Sequence, residues 1–421
     1  MQLNQTVSER EKIFWNMMGS MTNALSTMCL LIVVNRVCGS DEGGVFSLGH
    51  AVGQLMLTIG TFEVRNFQST DIKEQFKFED YMGFRIISCI VMAIASFGYV
   101  FISGYTAHKA AVALLLCFYR GVDAFSDVFQ GAFQQKDRID IAGKILCLKV
   151  VLSSVIFALA ILLTENLIIS LIFMNLVATL CCVLYDVRIT RMIENIKCSF
   201  SKNAIVNIFK ECAPLFVGAF VVMYIVNEPK YAIDVYLTPE KQNVFAIVFM
   251  PAFVVNLFSL FIFRPMITTL AIAWEDKKIN IFLKLIGKAL CWCTIITVMG
   301  VVGAAVLGIP ILEMLYGIEL KEYKLALLII MVGGGGNAIS TVLRYTLTVV
   351  REQYKTLWAY CISLVLTLAL ASILVPRYKV VGASLLYTIS MFIMSIVLVI
   401  ILGVKIIKTS ATRKNGQERT E

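Results

Sequence analysis

Histidine is nearly absent from this chain: two in 421 residues, His50 and His108, far apart in sequence. A histidine-built metal centre or a His-based triad therefore has little to draw on. Charge is scarce too, at 15% Asp, Glu, Lys and Arg against 59% apolar residues, where soluble domains average about 25% charged. With a mean hydropathy of +0.82 and apolar runs of span length from one end to the other, the chain reads as a polytopic membrane protein and not as a water-soluble enzyme. No Cys-x-x-Cys pair occurs among the 12 cysteines. Most of them, including Cys89, Cys117, Cys181 and Cys182, sit in apolar stretches and read as small core residues, so no metal is expected. Met1 to Lys12 lacks the apolar stretch and cleavage site of a signal peptide, and the first span is expected to stay attached.

Polar and turn-rich breaks divide the chain into spans near 14–36, 44–64, 80–104, 110–133, 141–163 and 167–186, then 211–228, 243–268, 280–306, 325–350, 354–375 and 380–404. The expected organisation is an N-terminal lobe over 1–186, a cytoplasmic linker over 187–210, a C-terminal lobe over 211–404 and a basic tail over 405–421. Lys and Arg in or beside the N-tail, the even-to-odd links and the C-tail outnumber those on the opposite links by about three to one, which places both termini in the cytoplasm. The net charge of +9 is thus largely topological. Its dispersal over many short links argues against nucleic-acid binding.

Two ungapped matches point to an internal repeat. Span 2 aligns with span 8 at an offset of 199, pairing Val45, Phe46, Phe62 and Arg65 with Val244, Phe245, Phe261 and Arg264. Span 4 aligns with span 10 at an offset of 214, pairing Asp123-Ala-Phe-Ser-Asp-Val-Phe129 with Asn337-Ala-Ile-Ser-Thr-Val-Leu343. Both matches skip six spans, so the two halves share one membrane orientation, and a substrate path is expected between them.

Polar residues recur at helical spacing on three spans. Arg120, Asp123, Asp127, Gln130 and Gln134 share one face of span 4. Asn337, Thr341, Arg344, Thr348 and Arg351 do so on span 10, and Ser47, Gln54, Thr58, Thr61 and Arg65 on span 2. Three charges facing lipid would cost roughly 8–10 kcal/mol, so the stripes are expected to face protein or an aqueous cavity. A bland alternative is that Arg120 merely pairs with Asp123 or Asp127 to glue helices together. Arg65, Arg264, Arg344 and Arg351 have no acidic residue on the same face of their own helices, which leaves positive charge for an anionic ligand. Arg85, Lys149 and Lys288 lie near span ends and are expected to snorkel to the headgroups. Gly333 to Gly336 and the segment Asn227-Glu-Pro-Lys-Tyr-Ala-Ile-Asp234 are expected to bend their helices, with close packing as the equal alternative for the glycines.

Asn35-Arg-Val-Cys-Gly39 followed by Gly43-Gly-Val-Phe46, Phe62-Glu-Val-Arg-Asn-Phe-Gln68, Asp123 to Gln135, and Asn227-Glu-Pro-Lys-Tyr231 together resemble the O-antigen-type repeat-unit flippases. These are polysaccharide exporters of the multidrug/oligosaccharidyl-lipid/polysaccharide (MOP) superfamily. The resemblance implies an all-α polytopic protein of twelve transmembrane helices in two six-helix lobes with a central cavity, MATE-like in fold. It further implies a transporter, not an enzyme, in the bacterial cytoplasmic membrane. Its substrate would be an undecaprenyl-pyrophosphate-linked oligosaccharide, moved from inner to outer leaflet by alternating access, with a glycan polymerase and glycosyltransferases as partners in lipopolysaccharide synthesis. No cofactor is expected beyond a coupling proton or sodium ion. The expected substrate-binding residues are Arg120, Arg344, Arg65, Arg264, Asp123, Asp127, Gln130 and Asn337, with Glu228 and Asp234 as candidates for ion coupling. Guanidinium groups suit a pyrophosphate. A multidrug cation antiporter of the same superfamily and a membrane glycan polymerase or ligase stand as alternatives. The first would want an acidic site, and the second more extracytoplasmic chain than the short links at 229–242 and 307–324 provide.

Overall fold

In a bilayer every backbone polar group must be paired within the protein, which leaves helices as the solution for a chain of apolar spans. The computed structural model describes residues 7–69, 71, 75–263 and 266–417, and every regular element among them is helical. The chain forms two compact units, Met1–Met223 and Tyr224–Glu421. The first contains α1 (Glu9–Cys38), α2 (Ser40–Thr61), α3 (Val64–Gln68), α4 (Phe78–Ile102), α5 (Ala107–Gln135), α6 (Ile139–Thr164) and α7 (Leu167–Cys181). A π-helical turn, Cys182–Val187, joins α7 to α8 (Arg188–Thr190). The long α9 (Lys202–Tyr236) crosses the boundary between units. That boundary falls beyond the expected 187–210 linker because the N-terminal part of α9 packs in the first unit, where Phe209 and Phe216 stack on Phe62 at 5.3 and 4.2 Å between ring centroids.

The second unit continues with α10 (Pro239–Phe263), α11 (Met266–Glu275), α12 (Ile279–Gly303), a π-helical turn Ala304–Gly308, α13 (Ile309–Tyr316), α14 (Lys324–Val349) and α15 (Gln353–Gln417). Ten helical segments among the described residues are long and apolar enough to cross a membrane. One of them, the 55-residue stretch Tyr354–Lys408, is two spans, because Lys379 leaves helical geometry (φ 51°, ψ −129°) just after Pro376. The 29-residue α5 is absent from the ten for its charges, not its length. Adding it and counting the broken stretch twice gives the twelve crossings expected, in a multi-pass all-α membrane protein.

In each unit one helix is central. α5 touches α2, α4, α6 and α7, and α14 touches α10, α11, α12 and α15. Close approach is made by small residues: a β-carbon at Gly53 would sit 3.2 Å from the Leu116 carbonyl oxygen of α5, and one at Gly143 of α6 would run into the Trp15 carbonyl of α1. The same principle decides between bending and close packing at Gly333 to Gly336. α14 runs unbroken through them, and all four are buried. Their missing side chains admit Tyr387 and Thr388 at Gly333 and the Ala252 backbone, 3.0 Å away, at Gly334. α9 likewise continues past Pro229 to Tyr236 instead of ending near residue 228.

The repeat is visible in backbone geometry. The ends of α5 and α14 make the same three hydrogen bonds 214 residues apart: Lys136, Asp137 and Arg138 donate to Ala132, Gln134 and Phe133, and Val350, Arg351 and Glu352 donate to Thr346, Thr348 and Leu347. Asp137 and Arg351 are both left-handed, at φ 57°. Glu165 and Lys379, again 214 apart, both have positive φ, 50° and 51°, although their ψ angles differ, 23° and −129°. Non-glycine residues adopt positive φ at a cost, so its recurrence at matched positions marks two copies of one chain path.

Replacing Gly143 with Ala is expected to lower the thermal stability of the detergent-solubilised protein by the equivalent of about 1–3 kcal/mol, the usual cost of overpacking. Gly98→Ala, where a new β-carbon meets no atom within 4 Å, serves as the control and is expected to leave the melting temperature unchanged or slightly raised. Melting curves followed by fluorescence-detected size exclusion decide the matter.

Candidate functional site

The polar stripe of α5 divides into two ion-pair networks. In one, Asp123 is shared: its Oδ2 accepts from Arg120 Nη1 at 2.7 Å and its Oδ1 from Lys149 Nζ of α6 at 2.7 Å. Lys149 also donates to Ser126 Oγ at 3.3 Å, and Ser126 donates onward to Asp186 Oδ2 at 2.8 Å. Asp186 is carried on the π-helical turn after α7. In the other network, Asp127 Oδ2 accepts from Arg85 Nη2 of α4 at 2.8 Å, and its Oδ1 lies 3.6 Å from Arg65 Nη1 of α3. Arg65 also donates to Gln130 Oε1 at 2.7 Å and Gln134 Oε1 at 3.1 Å.

Arg65 reaches this place because α2 stops early. Phe62 and Glu63 are both left-handed, at φ 48° and 55°, and turn the chain into the short α3. The stop leaves carbonyls of the last turn of α2 without helical partners. Arg85 and Ser88 of α4 both donate to the exposed Gly60 carbonyl, Ser88 at 2.7 Å, and a cation at a helix C-terminus is favourable. The Arg85 and Lys149 side chains are 0% and 1% accessible, so neither snorkels as expected. Each is drawn inward by a carboxylate on α5. Lys288 is exposed, as expected.

Of the expected site residues, Arg120, Asp123, Asp127, Gln130 and Arg65 thus belong to one connected region of the first unit. Asp123 orients Arg120 there, while Asp127 serves Arg85 and Arg65. Arg264 lies outside the described residues. In the second unit, Asn337 hydrogen-bonds with the Tyr387 hydroxyl, and its carbonyl accepts from Ser340 and Thr341 at 2.8 Å each. Arg344 is half-buried. Its Nη2 donates to Thr341 Oγ1 at 2.8 Å, its buried Nε has no partner, and it has no carboxylate partner among the described residues. Arg351 is exposed. Of the two candidates for ion coupling, Glu228 is 5% exposed with its Oε2 unpartnered, and Asp234 is half-buried.

Sequence reasoning missed Lys149, Arg85, Ser126 and Asp186. For the cations no signal told inward from outward, since each lies several residues inside its span but near enough to its end to reach the headgroups. None existed for Asp186, whose inward direction comes from the local π-helical turn.

Outside the spans, Asp71 accepts from Gln75, Phe76 and Tyr81. Burial pushes its carboxyl upward in pKa. Hydrogen bonds from the Gln75 and Phe76 amides at 2.9 and 3.1 Å and from the Tyr81 hydroxyl at 2.8 Å outweigh that and hold it below the usual carboxylate range. Gln135 at the end of α5 donates to the Asp71 carbonyl at 2.8 Å, tying Asp71 to the helix that carries the site.

No protein-family model matches the sequence. The capsular polysaccharide biosynthesis protein CapF of Staphylococcus aureus is 23% identical over 383 residues, which cover 88% of this chain and 94% of that protein. An inward-facing multidrug-resistance MATE transporter of the MOP superfamily superposes with a TM-score of 0.71 at 14% identity over 96% of this chain and 98% of its own. The lipid II flippase MurJ in an inward closed conformation gives a TM-score of 0.64 at 14% identity over 93% and 86% of the two chains. The chain therefore has the MATE-like fold found in MOP-superfamily transporters.

Two outcomes are expected. Asp127→Asn leaves the fully buried Arg85 without its counter-charge, a change that costs about 3–5 kcal/mol in buried pairs, so folded protein should fall sharply, and the double replacement Arg85→Met with Asp127→Leu should recover much of it. The Asp71 carboxyl, held low in the folded state, contributes stability that is fully present above about pH 4 and is lost as the pH falls through its lower folded value. Asp71→Asn should accordingly lower the melting temperature at neutral pH, and its difference from the parent should shrink on acidification below about pH 4; a difference independent of pH would remove the carboxylate from this role.

Proposed function

We propose that the protein is a flippase of the bacterial cytoplasmic membrane that carries an oligosaccharide linked to undecaprenyl pyrophosphate from the inner to the outer leaflet by alternating access. The observation that carries this reading is Arg344. Arg344 lies inside α14, five residues from its end at Val349; a charge within a span is costly, up to about 2.5–3.5 kcal/mol at the helix centre on insertion scales, and a carboxylate would offset it. Arg344 has a neutral threonine instead. An anionic headgroup arriving from outside supplies the missing counter-charge, and a pyrophosphate accepts the planar guanidinium in two-pronged fashion. Asn337, about two turns away on the same helix, offers an amide to sugar hydroxyls. Arg65, a quarter accessible at its side chain, is the second candidate contact. Arg120 and Asp123 act as a positioning pair for α5. The polysaccharide-synthesis relative and the flippase among the fold neighbours agree with this assignment.

A multidrug cation antiporter has one observation on its side, the buried and unpartnered Glu228 Oε2. Asp123 and Asp127, by contrast, are already taken by cations and offer nothing to a cationic drug.

In a strain lacking the gene, Arg344→Ala is expected to reach the membrane at normal abundance and to fail to restore glycan export, while Arg120→Ala is expected to lower abundance. Full export by Arg344→Ala would remove the arginine from the site. Strong efflux of cationic dyes that Glu228→Gln abolishes would replace the flippase reading with the antiporter.

A further inference from the structure

A cavity of about 400 Å³ opens in the first unit between α4, α5 and the end of α7. None of the charged residues of the ion-pair networks lines it, although Cys182 on its wall hydrogen-bonds with Ser126 and Asp186 of the first network. Its walls are Cys89, Met92 and Phe97 of α4, Leu114, Cys117, Phe118 and Phe125 of α5, and the π-helical turn at Cys182 and Val183. Two hydroxyls lie on the lining, and both are spent: Ser96 donates to Met92 O and Thr179 to Asn175 O, each at 2.8 Å along its own helix. An occupant therefore finds no free hydroxyl donor and no charge. Its rim is formed by Phe97, Phe118 and Val183, which are 64%, 57% and 54% exposed on spans where exposure means contact with lipid. Access is from the bilayer.

Gly121 supplies a second observation. It lies in the middle of α5 and lines the cavity, and a β-carbon built there meets nothing within 4 Å. Its neighbours in α2, at Gly49 and Gly53, are glycine because another helix approaches; here no atom approaches. Glycine in a helix interior costs about 1 kcal/mol relative to alanine, and at position 121 the effect is to keep open a space that any larger side chain would fill. The π-helical turn that begins on the far wall is of a kind found often at functional positions.

Size and depth narrow the occupant. An apolar cavity of about 150 Å³ takes a benzene ring, so this one has room for on the order of a dozen carbons. The α4 lining runs from residue 89 to residue 97, roughly 8–20 Å along the helix from its end at Ile102, and so lies at hydrocarbon depth, from one half of the bilayer to about its centre. A site with no polar fixture and that placement selects on apolarity and length alone, which bilayer phospholipid supplies in greatest abundance. We propose that this cavity is a binding slot for one acyl chain of a bilayer phospholipid, entering sideways past Phe97 and Phe118 and wedged between α4, α5 and the π-helical turn.

The test uses the full-length protein in vesicles of phosphatidylethanolamine and phosphatidylglycerol doped with a phospholipid bearing a diazirine on one acyl chain, followed by irradiation and peptide mapping. Expected is label concentrated on 89–97, 114–125 and 179–183, well above that on the lipid-facing part of α12 at Val298 and Met299. Gly121→Phe, which fills the slot, is expected to lose most of the label from these segments while keeping that on α12, and Gly98→Phe is expected to lose none. Should Gly121→Phe fail to give a single size-exclusion peak, Val183→Trp at the rim is the replacement, with the same loss expected. Uniform labelling of all lipid-facing helices, or label unaffected by both filling variants, overturns the proposal. So does selective displacement of the phospholipid label by an equal concentration of a polyprenyl phosphate, which would assign the slot to an isoprenoid chain.

Discussion

The first unit is organised by a single constraint: a carboxylate carried into the membrane must be surrounded by cations, and a cation must find a carboxylate. α5 brings in Asp123 and Asp127 one helical turn apart, and each is taken by two cations from different directions. Because those cations sit on α3, α4 and α6 as well as on α5 itself, the two carboxylates fix four elements at once. Desolvation of so many charges is expensive, so the arrangement says little about net stability. It says a great deal about uniqueness, since rotating any one of these helices would strand a buried charge.

The same constraint explains which parts of the architecture could be read from the chain alone. The number of crossings follows from apolar run lengths, and even the fused α15 contained its own break at Pro376 and Lys379. The α5 stripe followed from spacing. What escaped was direction across helices. Arg85 and Lys149 lie close enough to span ends to reach the headgroups, and nothing in their own helices says that they turn inward toward a partner on α5. Arg65 looked unpaired because its acidic neighbour is on another helix and because the left-handed pair Phe62 and Glu63, which redirects the chain, has no glycine to announce it. The glycine run of α14 carried an ambiguous signal, flexibility or close approach, and the packing of Tyr387, Thr388 and Ala252 against it decides for approach.

The repeat turns these observations into an argument about function. At an offset of 214, Asp123 corresponds to Asn337, Asp127 to Thr341, Gln130 to Arg344 and Gln134 to Thr348, on helices whose ends share their hydrogen bonding residue for residue. In the first unit the central helix supplies carboxylates and Arg65 reaches in from α3 to Asp127 and Gln130. In the second, the central helix has lost both carboxylates and carries the guanidinium itself, and that guanidinium bonds to the threonine standing where Asp127 stands. Lys149 has become Ser363, buried with its hydroxyl unpartnered. One backbone plan thus holds two electrostatic designs. The first closes its charges internally and suits a rigid wall. The second leaves a half-buried cation whose described partner is the neutral Thr341, and it is this difference between the two designs that supports the proposed anionic substrate.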